Sequence, residues 1–377
     1  MEVLVLSCGM GGGHNSAGQA VAEELRRRGH CVTFMNAFDL KDKKTSAFIN
    51  SAYIHIAQRV PGLFGAIYSL GNAYRRLPIK SPVYWANGKM AKYLARHLNG
   101  HHYDAIVASH TFPAQTLTKM KQDGFPLPKT YFVATDYTCT PFEEESDCDY
   151  TVIPSPELEE EFCRYGFAGD RLLPFGIPVR REFAEDLPRE DARRKLGWDC
   201  GSFVMLLSGG SIGAGQISTA IAVLRSFLSA DSRRRLVVIC GNNRKLYETL
   251  SRECAGCSQI TLLEKTKRMA DLMHGCDVFI SKPGGLSSTE AAAAGVPLIH
   301  ISPIPGCESH NCRFFADRGM SIAVKNLKRD LLPAVEALRD PVAVARMQQA
   351  QRTALDRFST ARLCDFIERT DENERLC

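Results

Sequence analysis

Glycine-rich segments that directly follow apolar runs carry the residues that could perform chemistry. The first such segment ends in Gly13 and His14 at the predicted start of a helix. A helix N-terminus offers backbone N–H groups to a ligand, and its dipole favours the neutral, proton-accepting form of a nearby histidine. His14 is therefore a candidate general base. The alternative is that His14 only caps the helix.

The second segment, SGGSIGAG at residues 208–215, also lies between an apolar run and a helical pattern. Its backbone N–H groups and serine hydroxyls, with Gly210 and Ser211 at the centre, could cradle a phosphate. No Gly-Lys-Ser/Thr sequence follows, so it is not a Walker A loop. The first segment is not a dinucleotide fingerprint either, because His14 stands where that motif has its third glycine.

The third segment, SKPGGLSSTE at residues 281–290, opens an alanine-rich helix. Gly285, Leu286 and Ser287 would offer donors to a phosphate, and Glu290 would accept from the two hydroxyls of a ribose. The alternative is a capping box, in which Ser287 and Glu290 satisfy the start of their own helix.

A fourth polar segment, PIPGCESHN at residues 303–311, follows another apolar run. Glu308 and Asn311 stand three residues apart, so one helical turn would present both to the vicinal hydroxyls of a sugar. The alternative is the ordinary polarity of a helix start. His110 lies at a further predicted strand end, and we interpret it as a structural hydrogen-bonding residue, although it could assist His14.

Alternating apolar runs and helical patterns must position these segments. Runs of strand length occur at 2–8, 31–36, 104–109, 130–134, 150–153, 203–207, 236–240, 260–263, 278–280 and 298–301. This alternation predicts an α/β fold with doubly wound parallel sheets, which bind ligands at the carboxyl ends of their strands. The length of 377 residues favours two Rossmann-like domains facing a cleft, 1–174 and 175–377, with a Pro- and Gly-rich linker at 173–179.

The composition is that of a folded globular protein, 45% hydrophobic and 24% charged. It excludes a disordered, fibrous or small disulfide-scaffold protein. No window approaches the roughly 18 apolar residues of a membrane span, and no basic region precedes the first apolar run. We therefore expect a cytoplasmic chain without a signal peptide. The 14 cysteines lack paired metal-ligand spacing, so we expect buried thiols and no metal site.

Positive charge is concentrated in residues 41–103, which hold ten Lys or Arg and one acid. Aromatic residues, Phe48 and Tyr53 among them, are interspersed with these bases. Such a surface suits anionic lipid headgroups, to which each basic residue contributes about 1 kcal/mol. Nucleic acid is a weaker alternative, because no recognition module is present. A solvated helical face is the remaining alternative.

Four elements in this order resemble the monogalactosyldiacylglycerol synthase and processive diacylglycerol glucosyltransferase group of glycosyltransferase family 28. They are GxGGGHxxA, GGSxG, KPGGxxxxExxxxGxP and PxPGxExxN. The resemblance covers residues 1 to about 325, and the block from Lys282 to Asn311 is its most specific part. It implies the GT-B fold, and we expect the C-terminal helix to pack back on the N-terminal domain.

The resemblance also implies roles for individual residues. His14 would be the general base, and Asp136, in a Thr-Asp element near the acceptor side of the N-terminal domain, would be the second catalytic residue. Residues 264–269 resemble the strip whose backbone recognises uracil. The donor-binding positions that the resemblance implies in this sequence are Gly13, Gly210, Ser211, Lys265, Met269, Gly285, Leu286, Ser287, Glu290, Glu308 and Asn311.

We therefore expect an inverting glycosyltransferase that moves a hexose from UDP-glucose or UDP-galactose to diacylglycerol or its glycosylated form. It would make a β-glycolipid as a peripheral protein on the cytoplasmic membrane face, without a cofactor or metal. Domain 1–174 would bind acceptor and anionic lipids, and domain 175–377 the donor. The alternatives are transfer from UDP-N-acetylglucosamine to an undecaprenyl-linked acceptor, nucleotide-sugar epimerisation, and a UDP-sugar sensor without turnover.

Overall fold

Two compact units make up the chain. The computed structural model describes residues 1–9, 12–42, 44, 46–47, 51, 55 and 61–376. The first unit contains the described residues up to Arg181, except Pro61, together with those from Arg357 onward, and the second contains Pro61 and Glu182–Asp356.

The first unit is built on a parallel six-stranded sheet in the order β2-β1-β3-β4-β5-β6. Its strands are β1 (Glu2–Ser7), β2 (Cys31–Asn36), β3 (Ala105–Ala108), β4 (Lys129–Val133), β5 (Tyr150–Val152) and β6 (Leu172–Leu173). Its helices include α1 (Gly12–Arg27), α2 (Pro61–Tyr74), α3 (Pro82–Gly88), α4 (Ala91–Asn99), α5 (Thr111–Gln122) and α6 (Glu159–Arg164). The apolar run of β1 is fully buried, as expected for a parallel strand covered on both faces.

The C-terminal helix α16 (Ser359–Leu376) belongs to this first unit. Its Leu363 and Ile367 are fully buried in the core formed with α1 and the sheet. Arg28, just after α1, donates to Asp365 at 2.6 Å and to Glu368 at 2.7 Å. The predicted packing of the C-terminal helix on the N-terminal domain is thus confirmed.

The second unit is built on another parallel six-stranded sheet, in the order β12-β11-β10-β7-β8-β9. Its strands are β7 (Phe203–Ser208), β8 (Arg234–Ile239), β9 (Ile260–Leu263), β10 (Val278–Ser281), β11 (Leu298–His300) and β12 (Ile322–Ala323). Its helices include α7 (Arg181–Ala184), α8 (Arg189–Leu196), α9 (Ile217–Ser229), α10 (Arg244–Glu253), α11 (Met269–Gly275), α12 (Gly285–Ala293), α13 (Cys307–Asp317), α14 (Leu327–Ala337) and α15 (Pro341–Ala354). The α/β prediction is confirmed.

Adjacent strands bring three of the polar segments to one edge of the second sheet. Strand β10 pairs with β7 on one side and with β11 on the other, all in parallel. The loops that follow these strands, 209–216, 282–284 and 301–306, therefore leave from neighbouring carboxyl ends, where such sheets bind ligands.

Two short strands and the linker differ from the sequence pattern. Strands β6 and β12, each two residues long, were not predicted, because two apolar residues make no recognisable run. Phe175, within the predicted linker, packs against the first unit's core. No disulfide joins the cysteines that the structure describes. Within the described residues, no helix combines the length and apolarity that crossing a bilayer requires.

Candidate active site

His14 lies in the first turn of α1, directly beyond the carboxyl end of β1. Its Nδ1 is 3.1 Å from the carbonyl oxygen of Ser109 and 2.8 Å from the hydroxyl oxygen of Thr135. A carbonyl oxygen can only accept, so the contact with Ser109 is a hydrogen bond in the tautomer that carries the proton on Nδ1. In that tautomer the lone pair is on Nε2, which can then accept a proton.

The surroundings of His14 favour its neutral form. Burial lowers the pKa of His14 below its ordinary value of 6.5, and the charge of Asp136 and the Ser109 carbonyl offset part of this shift. Thr135 and Asp136 directly follow β4, which pairs with β3, the neighbour of β1. Three adjacent strand ends thus bring together the candidate base His14, the two oxygen atoms beside its Nδ1 and the Asp136 carboxylate.

His110 has a different role from His14. It is the N-cap of α5, and its Nδ1 accepts a hydrogen bond from the backbone N–H of Phe112 at 3.1 Å. The ring centroids of His14 and His110 are 4.3 Å apart. Burial and the neighbouring His14 both keep the pKa of His110 well below 6.5. The interpretation of His110 as a structural hydrogen-bonding residue is confirmed.

The loop after β4 is held in place by Arg75, one of the bases of the basic segment at residues 41–103. The side chain of Arg75 is 4% exposed. Its guanidinium donates to Glu144 at 2.8 and 3.1 Å and to the Cys139 carbonyl at 3.0 Å. Glu143, in the same loop, is buried, and burial raises its pKa to about 8 with a further contribution from Asp136. The spacing of Arg75 gave no signal for this role, since its partners lie 64 and 69 residues away.

In the second unit, Gly210 has φ +72°, a left-handed conformation that favours glycine. Helix α12 begins at Gly285 with Gly284 as its N-cap, and the Ser287 hydroxyl donates to the Gly284 carbonyl at 3.3 Å. Ser287 is thus the third residue of the helix, so the alternative capping box does not form. Glu290 is buried in the second turn of α12, and Gly285 and Leu286 in the first.

Glu308 and Asn311 of α13 are directed at the KPGG turn. Glu308 accepts from the Nζ of Lys282 at 2.8 Å through Oε1, and from the backbone N–H of Ile304 at 2.7 Å through Oε2. Asn311 is fully buried, and its Nδ2 donates to the carbonyl of Pro283 at 3.1 Å. Asn311 therefore supports the turn from inside. Lys282 is the first residue of the KPGG element, but its position in the sequence did not predict this ion pair.

The segment expected to meet uracil follows β9, two strands from β7. Lys265 is exposed, and Met269 is the partly buried first residue of α11. This segment connects to the glycine loop by backbone hydrogen bonds, from Gly241 N to the Glu264 carbonyl at 3.1 Å and from Asn242 N to the Ser211 carbonyl at 2.8 Å.

Some predicted features lie elsewhere or outside the described part of the chain. Gly13 is in the first turn of α1, but the loop residues Met10 and Gly11 are outside the described residues, as are Phe48 and Tyr53 of the basic segment. A cavity of about 640 Å³ in the second unit lies at the amino ends of β7 and β10, the opposite sheet edge from the glycine loops.

An exposed apolar surface, here called the α2 surface, lies within the basic segment. It consists of Leu63, Ile67 and Leu70, at helical spacing on α2. Further along the chain, Trp85 of α3 is exposed. The exposed bases include Lys89, just after α3, and Lys92 and Arg96 of α4. The exposed apolar side chains are thus mostly aliphatic. Tyr84, one of the aromatics of the basic segment, is instead 1% exposed.

Comparisons with known proteins point to the same group as the sequence motifs. Residues 14–179 match the monogalactosyldiacylglycerol (MGDG) synthase family and residues 188–347 the glycosyl transferases group 1 family. The chain is 26% identical to a processive diacylglycerol beta-glucosyltransferase of Bacillus pumilus (98% of this chain, 95% of the relative). It is 27% identical to the enzyme of that name in Bacillus subtilis (92% and 90%).

Among solved structures, the fold resembles MurG of Acinetobacter baumannii, with a TM-score of 0.60 and 15% identity over 98% of this chain and 99% of that one. At this identity the likeness shows the fold alone, and it confirms the predicted GT-B architecture. With the two family matches, the chain is a glycosyltransferase of the GT-B fold, and the resemblance of its motifs to the monogalactosyldiacylglycerol synthases and the processive diacylglycerol glucosyltransferases is confirmed.

Proposed function

We propose that this protein transfers a hexose from UDP-glucose or UDP-galactose to diacylglycerol or a glycosylated diacylglycerol, with inversion, forming a β-glycolipid. It works without a metal cofactor, as a peripheral protein on the cytoplasmic face of the membrane. The observation that carries the proposal is the placement of His14, whose Nδ1 lies 3.1 Å from the Ser109 carbonyl oxygen, an arrangement that leaves Nε2 to accept a proton. The names of the similar bacterial enzymes support the lipid acceptor and the hexose.

The reaction is a single displacement in which His14 accepts one proton. The acceptor hydroxyl oxygen forms a bond to the anomeric carbon as that carbon's bond to the diphosphate oxygen breaks. The hydroxyl proton goes to Nε2 of His14, and the electron pair of the broken bond leaves with UDP. Asp136 stabilises the imidazolium that forms, because its charge favours the protonated ring.

The second unit holds the donor. The N-terminus of α12 at Gly285 and the loop containing Gly210 and Ser211 offer backbone N–H groups to the diphosphate. Buried Glu290 accepts from the ribose hydroxyls, and the backbone near Lys265 and Met269 contacts uracil. Glu308 faces the hexose.

The first unit meets the lipid through the α2 surface. Apolar side chains such as Ile67 and Leu70 enter the interfacial region, while the exposed bases of residues 89–96 attract anionic headgroups. Helix α2 also packs on the loop after β4, since a Cβ at Gly71 would lie only 2.9 Å from a Pro141 side-chain carbon. The lipid-facing helix is thus joined to the strand end that carries Asp136.

A matrix of donors and acceptors tests this proposal. UDP-glucose, UDP-galactose and UDP-N-acetylglucosamine are each supplied with anionic vesicles that contain diacylglycerol, lack it, or contain an undecaprenyl-linked acceptor. UDP release and glycolipid are measured in EDTA and in Mg²⁺. The proposal requires diacylglycerol-dependent product with one of the hexoses at similar rates in both buffers. Product only on the undecaprenyl-linked acceptor, or UDP-sugar binding without product, would reject it.

A further inference from the structure

Lys282 is a buried cation at the point where three central strand ends of the second sheet meet. It directly follows β10, and its side chain is 8% exposed. A Cβ placed at Gly215 would lie 3.6 Å from both Cγ and Cδ of Lys282, and one at Gly210 would lie 3.8 Å from Cε. The lysine stem therefore runs against the glycine loop that follows β7.

The hydrogen bonds of Lys282 are incomplete. Its ammonium group carries three N–H donors. Glu308 Oε1 accepts one of them at 2.8 Å, and no other described residue accepts from Nζ. Buried donors are normally paired, so two N–H groups remain for a ligand.

A second polar group at the same edge also lacks a partner. Ser302 follows β11, and the buried Oγ of its side chain has no hydrogen-bond partner among the described residues. Its φ of +47° lies in the left-handed region, which is unusual for serine and is a form of strain that clusters at ligand sites. A Cβ at Gly215 would lie 3.6 Å from the Ser302 Cβ, so loop, serine and lysine stem are neighbours.

We propose that Lys282 is a donor-binding residue whose ammonium group passes from Glu308 to the diphosphate of the sugar nucleotide, with Ser302 donating beside it. The exchange releases a carboxylate oxygen of Glu308 for the hydroxyls of the sugar. This inference rests on the proposed UDP-sugar donor. The Lys282 ammonium then holds the departing UDP. The ion pair between Lys282 and Glu308 is the arrangement of the site before the donor binds.

Electrostatics favours the exchange. Desolvation offsets most of the attraction within a buried ion pair, so the Lys282–Glu308 pair contributes little net stability. A diphosphate carries more negative charge than one carboxylate and therefore attracts the ammonium more strongly. The second oxygen of Glu308 stays bound to the Ile304 N–H, which keeps the carboxylate in place after Lys282 leaves.

Calorimetric titration with UDP, UMP and uridine tests the inference without requiring turnover. Lys282→Met should weaken UDP binding by about tenfold or more, the usual size of a lost hydrogen bond to a charged group, and leave uridine binding unchanged. Lys245→Met, at an exposed lysine of the same unit, is the matched control and should bind UDP as the wild type does.

Removing Lys282 alone leaves the Glu308 carboxylate without its cation. The second variant therefore combines Lys282→Met with Glu308→Gln. The double variant should show the same phosphate-specific loss while unfolding near the wild-type temperature. Equal UDP affinity in the wild type and in either folded variant would overturn the role of Lys282 while leaving the proposed donor intact. A wild type that binds no UDP would instead reject the donor, and this inference with it.

Discussion

The Nδ1 atom of His14 lies 2.8 Å from the hydroxyl oxygen of Thr135, although 121 positions separate the two residues. The parallel sheet produces this contact, because the carboxyl ends of β1, β3 and β4 lie side by side. The contact fixes the ring orientation, and the Ser109 carbonyl favours the tautomer that carries the proton on Nδ1. The backbone of neighbouring strands therefore leaves Nε2 to accept a proton.

Asp136→Asn should move the acid limb of the transfer rate to lower pH. The Asp136 charge raises the pKa of His14, so its removal lowers that pKa, and neutral His14 persists further into acid. The maximal rate should fall by about a hundredfold, because the imidazolium loses its counter-charge. Rate profiles against pH measure both effects. Asp170→Asn, at an exposed acid of the same unit, is the control, and an unshifted acid limb in Asp136→Asn would contradict the assignment.

Glu143→Gln should become increasingly stabilising as pH rises. Burial raises the pKa of Glu143 from 4.5 to about 8, so between these values the folded chain holds a proton that the unfolded chain releases. The favourable contribution of the protonated form is complete below the unfolded pKa. This contribution to the free energy of unfolding is lost at about 1.4 kcal/mol per pH unit as pH rises toward the folded-state pKa of about 8.

Denaturant unfolding at pH 6 and pH 9 measures this difference. The free energy of unfolding of Glu143→Gln relative to wild type should increase between the two pH values, since the other titrating groups are shared. A constant difference would show that Glu143 is ionised in the folded protein.

Arg75→Met should destabilise the first unit by about 3 kcal/mol, because it leaves the Glu144 carboxylate, which is only 13% exposed, without its partner. Arg75→Met with Glu144→Gln should recover much of the loss, since no buried charge then remains unpaired. Denaturant unfolding gives both values. Arg76→Met changes the exposed neighbour and should stay within about 0.5 kcal/mol of wild type. Similar losses at the two positions would refute the anchoring role of Arg75.

Leu70→Glu should reduce binding to anionic vesicles by about tenfold, because it removes an apolar contact and adds a repelled charge. Leu70 is 69% exposed and Val342, in the second unit, is 64% exposed. Val342→Glu therefore makes the same change at a comparably exposed position and should bind vesicles as wild type does. Co-sedimentation in low and high salt measures the binding, which salt should weaken. Equal losses in both variants would mean that the α2 surface is not the lipid contact.

The sequence predicted the sheet strands and the glycine loops well, because buried parallel strands form apolar runs and their loops need glycine. His14 could be found in the same way, since it directly follows such a loop. Arg75 and Lys282 could not be assigned, because their partners are far along the chain and only the folded sheet brings them together. The pattern at Ser287 and Glu290 left a capping box open as an alternative, which the structure excludes because α12 begins two residues earlier, at Gly285.

The rate of glycolipid formation by His14→Ala, measured beside its affinity for UDP, tests the central claim most directly. UDP should bind as in the wild type, because His14 lies in the first unit and the proposed donor-binding residues other than Gly13 lie in the second. Transfer to diacylglycerol should fall by about 10²–10⁴-fold, the usual contribution of a general base. Transfer at the wild-type rate would show that His14 is not the base.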